Sequence, residues 1–180
     1  MTTCYNRLRG EVMESLLHAG AIDDLQKLDW LVKDVIELAA RCVMYEVIGS
    51  GSDFDAVVGD NPIAAKVAEL AEVPLITLAE THSDGVKGVQ ITGKLPETVQ
   101  TVLLVSSLMD EIVQKVKIVR FFSDIDITAS SVAVLVDPED NPTDEHEELS
   151  NWCGLLHVFT RKELKEFEAR YERARAQTSS

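Results

Sequence analysis

The sequence lacks any apolar run close to the roughly 20 residues that a membrane-spanning helix needs, so we expect no bilayer-embedded segment. Cysteine is also scarce, since only Cys4, Cys42 and Cys153 occur, far apart and without a Cys-x-x-Cys pair. This spacing predicts free thiols rather than a disulfide framework or a zinc site. The first residues carry no apolar signal region, and we therefore expect a cytoplasmic protein.

Basic residues are few, because 17 Lys and Arg stand against 31 Asp and Glu, giving a formal net charge of -14. Such a chain repels nucleic acid over most of its surface. The excess of acidic residues favours solubility. It would also suit a protein that binds a partner with a basic face, or a protein that mimics nucleic acid. With 180 residues and 46% hydrophobic side chains, one domain over residues 1–180 can bury a core.

We expect an N-terminal helical segment over residues 1–22. After it, stretches whose apolar residues recur with the period of a helix alternate with stretches that have the pattern of a strand. The predicted helices cover 11–19, 23–47, 62–70, 107–119 and 160–180, and the predicted strands cover 54–58, 74–78, 101–105, 131–136 and 155–159. Residues 79–94 are polar and glycine-containing, which indicates either a loop or a short ribbon, and 137–148 reads as an acidic loop. Strand, turn, helix and strand follow within about 25 residues, so we expect right-handed βαβ units and a parallel sheet.

Several short motifs then carry a family resemblance. Phe54–Gly59, Pro62–Ala65 and Val73–Leu75 are similar in order and spacing to a Val-Val-Gly turn, a Gly-Ile-Pro-Leu-Ala helix and a Gly-Val-Pro-Leu strand. Ile91–Pro96 resembles Ile-Glu-Gly-x-Leu-Pro, and Ala133–Asp137 resembles an Ala-Val-Leu-Val-Asp strand. Together they resemble the type I phosphoribosyltransferases, and specifically orotate phosphoribosyltransferase. The resemblance implies a Rossmann-like, three-layer α/β fold with a parallel sheet and N-terminal helices, in a protein that forms homodimers.

The substrate motifs of that family do not carry over. The family places two acids after its central strand and then a loop ending Thr-Thr-Gly, which together hold phosphoribosyl pyrophosphate (PRPP). The matching positions here are Ser106 and Ser107 for the acids, and Asp110, Glu111 and Ile112 for the loop. Two carboxylates repel a phosphate dianion unless a cation intervenes, and a side chain at Ile112 blocks the close backbone approach that glycine allows.

The same residues also suit an ordinary helix start. Ile112 is in register with the apolar stripe of the next helix, which predicts that the helix begins earlier than in the family. Ser107 would then be its N-cap, with Asp110 and Glu111 in a first turn whose dipole favours them. Under this interpretation the protein's own groups satisfy the helix end that would otherwise hold a phosphate.

Two further family elements are missing. Ala79–Ser83 replaces the Arg-Lys-x-x-Lys segment that contacts pyrophosphate, and Gly20–Asp24 leaves no room for the hood that covers orotate. The turn Gly59, Asp60 and Asn61 is the best surviving fragment of a site, although the Asp60 carboxylate opposes an anion there.

Two functions follow as hypotheses. The first is a non-catalytic binding or regulatory protein on a phosphoribosyltransferase-like scaffold, without a cofactor, that binds a small ligand or a protein partner. The second is a divergent transferase or hydrolase of nucleotides or nucleobases that uses Asp60, Asp110 and Glu111 with a divalent ion such as Mg²⁺, which would reverse the local charge.

Overall fold

A computed structural model of the chain describes residues 2–83, 86–109, 112–138 and 143–178. Within these ranges the helices are α1 (Thr2–His18), α2 (Lys33–Ser50), α3 (Pro62–Ala71), α4 (Ile112–Asp124), α5 (Asp144–Ser150) and α6 (Arg161–Thr178). The strands are β1 (Ala56–Val58), β2 (Leu75–Ser83), β3 (Val86–Thr92), β4 (Thr101–Leu108), β5 (Thr128–Asp137) and β6 (Gly154–Thr160). No helix in the described parts of the chain is both long and apolar enough to cross a membrane.

The strands form one sheet in the order β3-β2-β1-β4-β5-β6. All neighbours are parallel except β2 and β3, which form an antiparallel ribbon. This confirms the predicted α/β class and parallel sheet. Of the two alternatives for residues 79–94, the ribbon is the one that forms. Its position at the sheet edge leaves β1 and β4 central, with β5 and β6 beyond them.

Two hydrophobic cores cover the two faces of the sheet because strand side chains alternate with a period of two. Val57 and Leu103 point into the first core, which contains α1, α2, α3 and α6, whereas Val58 and Leu104 point into the second. The second core is closed by α4 and α5. The result is three layers, in which a central strand buries both of its faces.

Short-range sequence signals set several of the helix ends. Gly51 ends α2 with a left-handed φ of 72°, a conformation that favours glycine. Asn61 caps α3 and Pro62 is its first residue. At the start of α6, the Thr160 backbone N–H donates to Glu163 Oε2 at 2.9 Å, and the Glu163 N–H donates to Thr160 Oγ1 at 3.2 Å. This reciprocal pair is a capping box.

The predicted helix over 23–47 is wrong in its first half. A 3₁₀ helix spans Leu25–Trp30, after which Leu31 and Val32 are extended, with ψ of 144° and 154°. Leu28 and Leu31 are both buried. A 3₁₀ turn stacks residues three apart on one side, so this tighter turn brings both leucines to the core before α2 begins. The helix predicted over 11–19 begins earlier, since α1 starts at Thr2, inside the N-terminal helical segment expected over residues 1–22.

The acidic segment 137–148 also differs from the prediction in part. Its described residues include the start of α5, whose N-cap is Thr143. Asp144 and Glu145 lie in the first turn, where carboxylates favour the helix dipole. The high acidity therefore supports a short helix rather than only a loop.

Candidate functional site

A cavity of about 310 Å³ lies at the carboxyl ends of β1 and β4, beside α4. We call it the β1–β4 cavity. Its apolar wall includes Val58, Leu78, Leu104, Ile118 and Val132. The volume is at the lower end of the ~300–1,000 Å³ range of small-molecule sites. In open α/β sheets, ligands bind outside the carboxyl ends of the strands, which is where this cavity opens.

Five residues selected from the sequence line this cavity together: Gly59, Asp60, Asn61, Ser106 and Ser107. They come from two segments about 45 residues apart, and the parallel pairing of β1 with β4 brings them to the same edge. The other two predicted site positions, Asp110 and Glu111, lie outside the described residues. The sequence therefore identified the two segments that meet at the cavity.

Ser107 does not cap α4, contrary to the prediction. It lies within β4, and the next residue, Leu108, is still strand and pairs with Val136 of β5. Met109 follows, and α4 begins at Ile112. The long β4–β5 pairing keeps the chain extended past both serines, so tertiary hydrogen bonding overrides the local capping preference. Ser107 is buried, with an exposed fraction of 7%.

The Ser106 hydroxyl is bound to its own strand. It donates to the Leu108 carbonyl oxygen at 2.9 Å. A serine hydroxyl has a single hydrogen to donate, so this bond occupies the donor that would otherwise address a ligand in the cavity. The position that matches a family acid therefore carries neither a negative charge nor an available donor.

Gly59 is required by packing. A Cβ at this position would lie 2.5 Å from the Ala64 Cβ and 2.6 Å from the Val105 carbonyl oxygen. Both distances are far inside normal contact, so only glycine fits between the end of β1, the start of α3 and β4. The close approach that glycine allows here is to the protein's own backbone.

Asn61 also serves the fold with both ends of its amide. Its Oδ1 accepts from the Ala64 N–H at 2.9 Å, which caps α3, and its Nδ2 donates to the Val105 carbonyl oxygen at 2.9 Å. The turn is thus tied to β4. Asp60, between Gly59 and Asn61, is exposed and places a carboxylate at the rim of the cavity.

Sequence reasoning missed Lys115 and Gln114, which line the cavity from α4. Lys115 is only 8% exposed, which is unusual for a lysine. A signal for it was present, because Lys115 is three residues after Ile112 and four before Val119, on the apolar face of the helix. A cation on that face marks a place where the buried surface meets a polar space.

The remaining wall comes from the segment that replaces the family's basic cluster. Ala79 lines the cavity from β2, and the side chains of residues 80–83 lie outside the description. Among the described residues, no three His, Cys, Asp or Glu side chains are grouped so that they would hold a metal ion.

The sequence matches no protein-family model, and no curated protein matches it significantly. Solved structures do match. Orotate phosphoribosyltransferase from Aeropyrum pernix shares 21% identity, with a TM-score of 0.63 over 75% of this chain and 76% of that one. The Mycobacterium tuberculosis enzyme in complex with PRPP shares 18%, with a TM-score of 0.64 over 88% and 92%.

A third match is a Neisseria gonorrhoeae protein with bound ppGpp, at 20% identity and a TM-score of 0.51, covering 72% of this chain and 80% of that one. At these identities the likeness establishes the fold. The chain has a type I phosphoribosyltransferase-like fold, as its motifs predicted.

Proposed function

We propose that this protein is a non-catalytic binding or regulatory protein whose β1–β4 cavity receives a small ligand without phosphoribosyl transfer. The observation that carries the proposal is the state of Ser106, whose hydroxyl donates to Leu108 at a position where the resembled family has an acid. Neither Ser106 nor Ser107 supplies the negative charge with which those acids hold ribose hydroxyls.

The turn across the cavity supports the same conclusion. Gly59 is explained by its contacts with Ala64 and Val105, and both ends of the Asn61 amide are used inside the protein. Packing and helix capping account for both residues, so their presence in the turn supports a shared fold and does not require a phosphate ligand. The mixed apolar and polar lining still offers a small ligand a concave place to bind.

The proposal extends to the protein's setting. We place it in the cytoplasm as a homodimer that uses no cofactor, and its net charge of -14 suits a second protein with a basic face. A contact of that kind would weaken as salt screens it.

The alternative is a metal-dependent enzyme acting on nucleotides or nucleobases. Asp60 favours it, because this exposed carboxylate lies at the cavity rim. Asp110 and Glu111, the other two carboxylates of this hypothesis, lie outside the described residues. Mg²⁺ would make the rim attractive to phosphate, and its site would need oxygen ligands from these carboxylates. Turnover of any member of a nucleotide panel that requires Mg²⁺ and disappears in Asp60→Asn would favour this alternative.

Calorimetry with PRPP, with and without Mg²⁺, tests the main proposal. We expect no micromolar binding and no transfer to orotate or adenine. Micromolar binding of PRPP together with product formation would overturn it.

A ligand screen tests the cavity itself. A thermal-shift panel of nucleotides that includes ppGpp should give hits that disappear in Ala79→Trp, which fills the cavity from β2. Leu75→Trp is the matched control, because Leu75 is an exposed residue of the same strand that does not line the cavity. Hits that survive Ala79→Trp would place binding elsewhere and contradict the proposal.

A further inference from the structure

A second concave surface lies on the opposite face of the sheet, between α1 and α2. We call it the α1–α2 groove; its volume is about 950 Å³. Its apolar lining includes Tyr5, Leu8, Leu38, Met44, Tyr45 and Ile48. Grooves between helices that expose apolar side chains are typical places for another helix to pack.

The groove exposes side chains that a protein normally buries. Ile48 is 70% exposed and Tyr45 is 39% exposed, although both belong to the well-packed helix α2. The Tyr5 and Tyr45 rings stack with their centroids 5.0 Å apart, which orders the floor of the groove across the two helices. The Tyr5 hydroxyl donates to Glu46, so the polar atom of this ring is already satisfied. The surface is therefore prepared to bury apolar area without leaving that hydroxyl unpaired.

The exposed stripe of α2 is complementary to itself. Leu38, Arg41, Tyr45 and Ile48 are separated by three, four and three residues, so they share one face of the helix. If α2 crosses a second α2 antiparallel and the two helices cross at the level of residue 43, Leu38 of one copy faces Ile48 of the other. Arg41 then faces Tyr45 in both directions, and a guanidinium over a tyrosine ring is attractive. A stripe that pairs with itself in reverse suits a two-fold, isologous interface.

The charges at the rim favour the same occupant. Arg7 pairs with Glu11 at 3.5 Å, and Arg41 pairs with Glu37 at 2.8 Å, so the groove carries two cations and two anions. On a molecule of net charge -14, a locally neutral patch is where a second copy meets the least repulsion. A strongly basic partner would gain little at this patch and would prefer the acidic surface.

We propose that a second copy of this chain binds in the α1–α2 groove, with the two α2 helices antiparallel across a two-fold axis that passes between Arg41 and Tyr45 on the exposed face of α2. This inference rests on the proposed homodimer and names the surface that forms it. The β1–β4 cavity lies on the other core's side of the sheet and stays open in such a dimer.

Sedimentation velocity of the full chain across a concentration series tests the surface. Wild-type protein should form a reversible dimer, and Ile48→Asp should raise its dissociation constant more than about tenfold, because it buries an unpaired charge against the apolar Leu38 of the other copy. Val32→Asp is the matched control: Val32 is 67% exposed and precedes the same helix, but lies off the stripe. The dimer should tighten from low to physiological salt, because screening weakens the repulsion between two acidic copies.

Cross-linking tests the orientation. In a Cys4→Ser background, a mixture of Leu38→Cys and Ile48→Cys proteins should oxidise to the mixed dimer in preference to either symmetric one. A wild-type protein that is monomeric at every concentration would refute both the homodimer and the inference. A dimer that Ile48→Asp leaves intact, or that cross-links most readily between two Ile48→Cys chains, would refute the surface or its orientation and leave the homodimer standing.

Discussion

Replacing Gly59 by alanine is the sharpest test of why the turn after β1 has its present form. The added Cβ would lie 2.5 Å from the Ala64 Cβ and 2.6 Å from the Val105 oxygen. Carbon atoms prefer separations of roughly 3.5–4.0 Å, so α3 would have to shift by about 1 Å. Asn61 resists that shift because it ties α3 to β4. Overpacking of this kind costs about 1–3 kcal/mol, and we expect the upper half of that range.

Urea denaturation followed by circular dichroism measures the effect, with an unchanged m value indicating that the transition is comparable. Gly49→Ala is the control. Gly49 is the penultimate residue of α2, with no atom within 4 Å of a new Cβ, so alanine should not destabilise the protein and should add at most about 1 kcal/mol. In a double-mutant cycle, Ala64→Gly should recover part of the Gly59→Ala loss by removing one of the two clashes. If the free energy of unfolding of Gly59→Ala is within about 0.5 kcal/mol of the wild-type value, packing does not explain this glycine. The close approach of a ligand to the backbone would then be the better explanation.

Three further predictions concern single side chains. Asn61→Ala should lower the free energy of unfolding by about 0.5–2 kcal/mol through loss of the α3 cap, while Asn61→Ser, which keeps a capping oxygen and like alanine gives up the bond to Val105, should lose less in the same denaturation assay. Arg9→Met should cost about 1.5–3 kcal/mol in urea, because the Arg9 guanidinium donates to the Val158 carbonyl oxygen of β6 at 2.7 Å; an unchanged midpoint would mean that water replaces the bond. Burial raises the pKa of the Cys42 thiol to about 12, so the folded protein keeps a proton that the unfolded chain loses near pH ~8.5. Stability should therefore fall as pH rises from about 8.5 towards 12, with a shallower slope in Cys42→Ala, and iodoacetamide at pH ~8 should label the exposed Cys4 before Cys42.

Much of the fold could be predicted because its signals are local or periodic. The alternation of Val57 and Leu103 against Val58 and Leu104 reflects a central strand buried on both faces. Gly51 follows the general preference for glycine at the residue that ends an α-helix with a left-handed backbone conformation. Such features need no knowledge of distant contacts, which is why the parallel sheet and most helices lie where the sequence placed them.

The errors occur where tertiary pairing decides between two local preferences. Ser107 is a good N-cap residue, yet the register between β4 and β5 holds it in a strand. The helix is interrupted at Leu31 and Val32 without a proline or glycine in the sequence that would predict it. The interruption is explained only by the burial of Leu28 and Leu31 in the core.

The candidate site was predicted by position rather than by chemistry. The motifs located Gly59, Asn61 and Ser106 at one edge of the sheet, but not the close packing of Gly59, the bond from Asn61 to Val105 or the bond from Ser106 to Leu108. Lys115 was missed because the buried face of a helix is predicted from its apolar residues, and a single lysine among them is normally assumed to be exposed. Residue types and their spacing predict where a site lies more readily than they predict which way its polar atoms point.

The division of the interior into two cores by the central sheet has a consequence for how such a protein can diverge. The side chains that would carry chemistry in this fold stand at the ends of β1 and β4, beyond the side chains that fill either core. Exchanging Asp60 or Ser106 alters charge at the cavity rim and removes little buried apolar area, so the free energy of folding sets only a weak barrier to such exchanges, unlike those at Gly59 and Asn61. A lineage on this scaffold can therefore give up one reaction in a few substitutions, while α1 and α2, packed on the other face, remain free to acquire a separate role.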